Sequence, residues 1–293
     1  MKKPADTLSR FLFENLPLRG EIVRLDDVWQ HVIDRHDYPP VLRDMMGELC
    51  AAAVLLAATL KLDGSMVLQV HGTGAVKLLV VECSGDLEMR ATAKWEGELE
   101  HGRLQDLVGD GRFVITLDPK DGKQAYQGIV PLEGDSIAEI LQGYMTRSEQ
   151  LQTRLWLAAD GASAGGMLLQ KLPDQSEAAD EDVWDRATQL ADTLKAEEIL
   201  NLSAGELVHR LYHEEDIRMF DAQAVVFRCA CSRNNVANML RMIGREEVDQ
   251  ILAEREEIEV HCEFCNERYV FDKVDADAVF AEVPAVAASK TVH

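Results

Sequence analysis

The chain has 293 residues, 47% of them apolar, and carries 30 Lys and Arg against 52 Asp and Glu, a formal net charge of −22. That length accommodates about two domains with a sizeable core. The charge leaves no basic face for phosphates, which excludes a nucleic-acid partner and docking on anionic membrane surfaces.

Met1 to Asp6 run into a polar, acidic segment rather than the apolar region of a secretory signal. The most apolar stretch, Leu49 to Leu60, is too short to span a bilayer, and Lys61 follows it. The expected compartment is the reducing cytoplasm, where paired cysteines serve metals or redox chemistry more often than structural disulfides.

Residues 6–16 are apolar with a mixed period, and Arg19–Leu25 read as a strand. Asp26 or Asp27 is positioned to cap a helix carrying Val28, Trp29, Val32 and Ile33. The strongest helix covers 41–60, apolar nearly all round and therefore buried, with Cys50 as a core residue. The period then changes to β-like runs at 65–70, 75–83, 87–95, 112–117 and 124–130, punctuated by glycine turns. A helix over 136–145 and two further runs, 153–158 and 167–172, complete a predicted α+β domain, residues 1–172, with an antiparallel sheet and packed helices.

Composition shifts after Pro173. Residues 174–221 hold fourteen Asp and Glu against four Lys and Arg, with almost no strand formers. Apolar stripes cross this acidic background: Val183, Ala187, Leu190 and Leu194, then Leu207, Val208, Leu211 and Tyr212 behind the capping-box pattern Ser203-Ala204-Gly205-Glu206. Helices this short are marginal alone and need a surface to cover. Residues 173–224 are therefore predicted to be an acidic helical linker, with Leu207 and Leu211 on its contact face. A plain connector between domains is the competing reading.

Four cysteines dominate the C-terminal part of the chain: Cys229-Ala230-Cys231, thirty residues, then Cys262-Glu263-Phe264-Cys265. Two close pairs a small subdomain apart form a metal-ligand pattern. A strand would turn Cys229 and Cys231 to one face. Cys262 and Cys265 bracket a tight turn, with Asn266 after it to accept an unusual backbone. A four-thiolate zinc site is favoured over four unrelated buried cysteines or an iron–sulfur cluster. C-x-C departs from the usual spacing of structural zinc sites, and thiolates are what oxidants attack, so the site is either a staple or a sensor. Residues 225–285 are predicted as this subdomain, with a strand at 225–227, a helix begun by Ser232 and stopped by Gly244, a second helix around Val248, Ile251 and Leu252, and a hairpin at 258–260 and 269–271. The tail, 286–293, is expected to be disordered.

Enzymatic signatures are missing. Asp121-Gly122-Lys123-Gln124 lacks the rest of a phosphate-binding loop, and Gly72-Thr73-Gly74 is a turn. His209 and His213 have no adjoining Glu in zincin register, so they read as a solvated helix face, and His261 would point away from Cys262. Four sulfurs leave a zinc no open position for catalysis.

An α+β domain, an acidic linker and C-x-C with C-x-x-C together resemble the redox-regulated 33-kDa heat-shock chaperone family. Phe11-Leu12-Phe13-Glu14-Asn15, Arg19-Gly20-Glu21, Leu132-Glu133-Gly134-Asp135, Arg147-Ser148-Glu149-Gln150-Leu151, Gly165-Gly166-Met167-Leu168-Leu169-Gln170 and Leu211-Tyr212-His213-Glu214-Glu215 carry the likeness. The resemblance implies a cytoplasmic, ATP-independent holdase for unfolding client proteins, zinc-bound and inactive when reduced. It also implies activation by oxidants such as hypochlorite, or peroxide with heat, and dimerisation of the active form. Zinc, one per chain, would be held by Cys229, Cys231, Cys262 and Cys265, and oxidation would replace it with disulfides Cys229–Cys231 and Cys262–Cys265. The competing function is a constitutive protein-binding module with zinc as a staple.

Overall fold

Alternating side chains make strands here and helically spaced ones make helices. In chain order these are β1 (Thr7–Phe13), β2 (Leu18–Leu25), α1 (Asp27–Ile33), α2 (Pro40–Leu60), β3 (Gly64–His71), β4 (Val76–Ser84), β5 (Glu88–Trp95), α3 (Leu104–Val108), β6 (Arg112–Pro119), β7 (Tyr126–Val130), α4 (Ile137–Arg147), β8 (Thr153–Ala159) and β9 (Ala164–Lys171). After these come α5 (Val183–Ala191), α6 (Ala196–Asn201), α7 (Ala204–Tyr212), β10 (Ile217–Met219), β11 (Gln223–Ala224), β12 (Val226–Phe227), α8 (Arg233–Ile243), α9 (Arg245–Glu254), β13 (Ile258–His261), β14 (Arg268–Phe271) and α10 (Lys273–Ala281). The structure, a computed structural model, describes residues 6–60, 63–99, 102–120, 122, 124–173 and 182–281. The tail predicted at 286–293 lies outside them. The chain divides into two compact units, Met1–Arg228 and Cys229–His293.

The mixed α+β class is as expected, with the antiparallel strands of the first unit divided between two six-stranded sheets. One runs β10-β1-β2-β9-β8, with β11 also on β1, and the other runs β12-β5-β4-β3-β6-β7. Helix α2 packs on strands of both. Its 21 residues are rich in alanine and leucine, and most of them are buried. This buries apolar surface on every side of one helix, the largest favourable term in such a core. Among the described residues, no helix is long and apolar enough to cross a membrane.

The first sheet is apolar on both faces. Leu8, Val23, Leu25, Ala164 and Leu168 belong to the central core. Their alternating neighbours Phe11, Phe13, Leu18, Ile22, Met167 and Leu169 form a second core with Val183, Ala187, Ala191, Leu207, Val208, Leu211 and Tyr212. Gly20, opposite Phe11, leaves room for its ring: a Cβ there would sit 2.0 Å from Phe11 Cζ. The outer face is thus covered by α5 and α7.

Two local expectations change. Asp26 occupies the N-cap position of α1 but makes no capping bond. Its carboxylate instead accepts from Arg24 Nε and Ser163 Oγ, while Asp6 Oδ1 accepts from the amides of Asp26 and Val28 at 2.7 and 3.0 Å. The cap comes from twenty residues upstream, which local sequence cannot reveal. Residues 217–224, expected within the helical linker, instead form β10 and β11 antiparallel on β1, while the strand expected at 225–227 is present as β12, parallel on β5. Such short exposed strands carry no apolar alternation of their own; the neighbouring edge selects them.

The capping box of α7 is present: Ser203 Oγ accepts from Glu206 N at 3.3 Å and Glu206 Oε2 accepts from Ser203 N at 2.7 Å. Ser203→Ala removes one of these bonds and weakens α7 by about 1 kcal/mol. In hydrogen exchange this reads as about fivefold faster opening of the α7 amides, and unchanged exchange contradicts it.

Candidate functional site

The second unit is small. Among the described residues, its core cluster has seven buried members, Ala237, Leu240, Val248, Ile258, Phe271, Ala276 and Val279, with partly buried hydrophobics packed against them. Ser232 caps α8, its Oγ accepting from Asn235 N at 3.2 Å, and Gly244, at φ +100, separates α8 from α9. Arg233 lies 4.2 Å over the Phe271 ring and donates to Val270 O at 2.8 Å, fixing α8 to β14. A core of this size is small for an isolated domain, the situation in which metals or disulfides commonly supplement packing.

The four cysteines converge. Their Sγ atoms all lie within 4.8 Å of one another. Cys229 Sγ is 3.6 Å from Cys262 Sγ, and Cys231 Sγ is 3.2 Å from Cys265 Sγ. A zinc–sulfur tetrahedron places its sulfurs about 3.8 Å apart. Donor type, number and spacing therefore fit a tetrahedral thiolate ion, and the cluster could hold one. Burial, then the adjacent thiols, push the Cys265 thiol upward; a bound cation reverses that balance.

Each pair is placed differently. Cys262 and Cys265 bracket the turn of the β13–β14 hairpin, where Cys262 N donates to Glu267 O and Asn266 N to Cys262 O. Asn266 takes φ +55, the backbone conformation anticipated for it. Cys229 and Cys231, by contrast, are not in a strand. β12 ends at Phe227 and the extended cap residue Ser232 opens α8, so the pair lies in the irregular connection between them. Tyr269 OH donates to Cys231 Sγ at 3.2 Å. His261 Nε2 pairs with Glu259 Oε1 at 2.6 Å and stays outside the cluster.

Cys50 and Cys83 are fully buried in the first unit's core. Burial pushes both thiols up, Cys83 to about 12, so neither offers thiolate to an oxidant at neutral pH. Iodoacetamide is expected to leave both unlabelled in the native reduced chain. Cys50→Ala with Cys83→Ala costs about 1–2 kcal/mol per site in lost packing and keeps any response to oxidation. A folded double variant that no longer responds would overturn this.

Leu207 and Leu211, at 1% and 3% exposure, sit in the outer core of the first unit. Phe11, Phe13, Leu18, Ile22, Met167 and Leu169 are the partners that sequence reasoning missed, although β9 is apolar at consecutive positions, the pattern of a strand buried on both faces. Polar ties reinforce the cover. Tyr212 OH donates to Ala187 O at 3.1 Å, Trp156 Nε1 and Arg154 donate to Asp192 at 3.0 and 2.9 Å, and Arg210 donates to Thr193 O at 3.2 Å. His209 on α7 and His213 at its C-cap are exposed, as expected.

Comparison with known proteins agrees with this arrangement. The family model described as Hsp33 protein matches residues 6–272. The chain is 60% identical to the 33 kDa chaperonin of Methylobacillus flagellatus over 94% of each chain. It is 51% identical to that of Chromobacterium violaceum over 98% of each. These relatives are named as chaperonins and not as enzymes. The crystal structure of the 33 kDa chaperonin (heat shock protein 33 homolog) from Thermotoga maritima shares the fold, with a TM-score of 0.80 at 20% identity over 94% of this chain and 98% of that one. Matched by the family model over residues 6–272 and by relatives across nearly their whole length, the chain belongs to the Hsp33 family of chaperones.

Proposed function

We propose that the chain is a cytoplasmic, ATP-independent holdase switched by oxidation of Cys229, Cys231, Cys262 and Cys265. In the reduced state these thiolates hold one zinc ion. Zinc, when bound, keeps the thiolates deprotonated and ties the two ends of a small domain together, worth about 10–16 kcal/mol in small peptide sites. Peroxide or hypochlorite takes two electrons from each thiolate pair. This leaves disulfides Cys229–Cys231 and Cys262–Cys265, with the oxidant's oxygen departing as water or hydroxide. The sulfurs are then no longer ligands. Disulfides closing such small loops restrict the unfolded chain little, so the second unit loses its staple without an equivalent replacement.

Residues 1–172 serve as the client-binding core in this reading, 173–224 as the regulatory linker, 225–285 as the sensor and 286–293 as a tail. What carries the reading is the continuous run Val183–Phe227, which covers the apolar outer face and the edges of both large sheets. It ends two residues before Cys229. Loss of order at the cysteines frees the end of that run. Phe11, Phe13, Ile22, Met167 and Leu169 then become available to unfolding proteins, and two such faces pair in a homodimer. The net charge of −22 keeps the opened chain soluble.

The test is light scattering of a heat-unfolded client with reduced or oxidised chain, while released zinc is followed with a chromophoric chelator. Suppression by the oxidised chain alone, with about one zinc released per chain, supports the reading. Equal suppression in both states makes the protein a constitutive binding module.

A further inference from the structure

Residues 216–228 lie along β1 and β5 through a row of backbone hydrogen bonds, with side-chain ties at Arg218, Val225, Phe227 and Arg228. Glu14 N donates to Asp216 O at 2.8 Å, Phe220 N to Arg10 O at 2.9 Å and Val225 N to Asp6 O at 2.8 Å. Val226 N donates to Leu87 O and Arg228 N to Met89 O, both at 3.0 Å. The side chains of Phe220, Gln223, Ala224 and Val226 are exposed, while Arg218 pairs with Glu14 at 2.8 Å and Arg228 with Glu88. Val225 is the one fully buried side chain of the segment. Beneath this strap, β1 and β5 are the edge strands of the two sheets.

An edge strand offers a row of unpaired N–H and C=O groups to any extended chain. Backbone pairing supplies affinity without reading sequence, and side-chain shelves beside the edge add selectivity. β1 has such a shelf: Phe11 and Phe13 lie on the outer face, spaced to meet alternate residues of an added strand. An unfolding protein exposes extended segments of this kind.

We infer that β10 and β11 occupy the place of a client, and that clients are held by strand addition to the edge of β1 once the strap has left. This rests on the linker release proposed above and gives it a recognition chemistry: main-chain hydrogen bonding along β1, with apolar side chains packing on Phe11 and Phe13. Clients of unrelated sequence would then bind alike, because the bonds that hold them are common to every extended chain. Phe220, exposed and bonded through its N–H, fills the position that a client residue would take.

The probe is a peptide copying Glu215–Val225, tested on the oxidised full chain against a chemically unfolded client. A second peptide carries an N-methyl group at Phe220, which removes the donor to Arg10 O and keeps the side chain. The parent peptide is expected to displace client, and the N-methyl peptide to do so about tenfold more weakly, the effect of one lost main-chain bond. Equal displacement by both peptides, or by neither, overturns the proposal. So does a parent peptide that splits an oxidised dimer while leaving client bound, which assigns the edge to a second copy. Hydrogen exchange at the Glu14 amide separates the two levels. Protection lost on oxidation and regained with client supports strand addition. Protection kept in an oxidised chain that holds client removes the linker reading together with this one.

Discussion

Leu207→Glu with Leu211→Glu yields a chain that suppresses client aggregation without any oxidant. The two leucines lie one turn apart on α7 and share its buried face. Truncating a buried leucine costs about 2–5 kcal/mol, and each glutamate adds the penalty of an unpaired buried charge. A helix of 9 residues has little propensity energy to offset that. Charges on α7 therefore separate it from Phe11, Phe13 and Met167, and α5, tied to α7 through Tyr212 OH, goes with it. The cysteines are untouched, so the one zinc per chain proposed for the reduced state is expected to stay bound. Light scattering of a diluted, chemically unfolded client, with metal content and far-UV circular dichroism measured in parallel, checks this. A variant that keeps zinc, loses helix and still lets client aggregate shows that uncovering this face is not the switch.

Cys231→Ser with Cys265→Ser has the larger energetic effect. Two neutral hydroxyls replace two of four thiolates, and most of the roughly 10–16 kcal/mol of such a site is forfeited. The seven-residue core of the second unit cannot absorb that loss. The reduced variant is expected to lack stoichiometric zinc, to show residues 229–281 unprotected in hydrogen exchange and to hold client without oxidant. Full zinc occupancy in the purified variant would refute the ligand assignment.

How far these sites could be read from sequence depends on the range of the interactions that build them. The convergence of the four cysteines was legible because it follows from residue type and spacing. Asn266 and the Ser203–Glu206 cap were legible because a turn and a helix start are local. The contact face of α7 was visible as a stripe, but its partner was not: Phe11 and Met167 are far away in the chain, and only the double-sided apolarity of β9 hints that something covers them. Beyond local reading were the Asp6 cap of α1 and the short strands β10 and β11 within 217–224, both chosen by a tertiary neighbour. The strand geometry expected of Cys229 and Cys231 failed for the same reason, since the chain must leave the edge of β5 and enter the cap of α8 within a few residues.

Hydrogen exchange of Leu207–Tyr212, followed on the full chain as oxidant is added and with released zinc recorded in the same samples, tests the central claim most directly. The account predicts that zinc is released first, that the α7 amides then lose protection while Met167–Leu169, paired on both sides within the sheet, keep theirs, and that client is held only after the α7 loss. An oxidised chain that has released its zinc and holds client while α7 stays as protected as in the reduced state would contradict it.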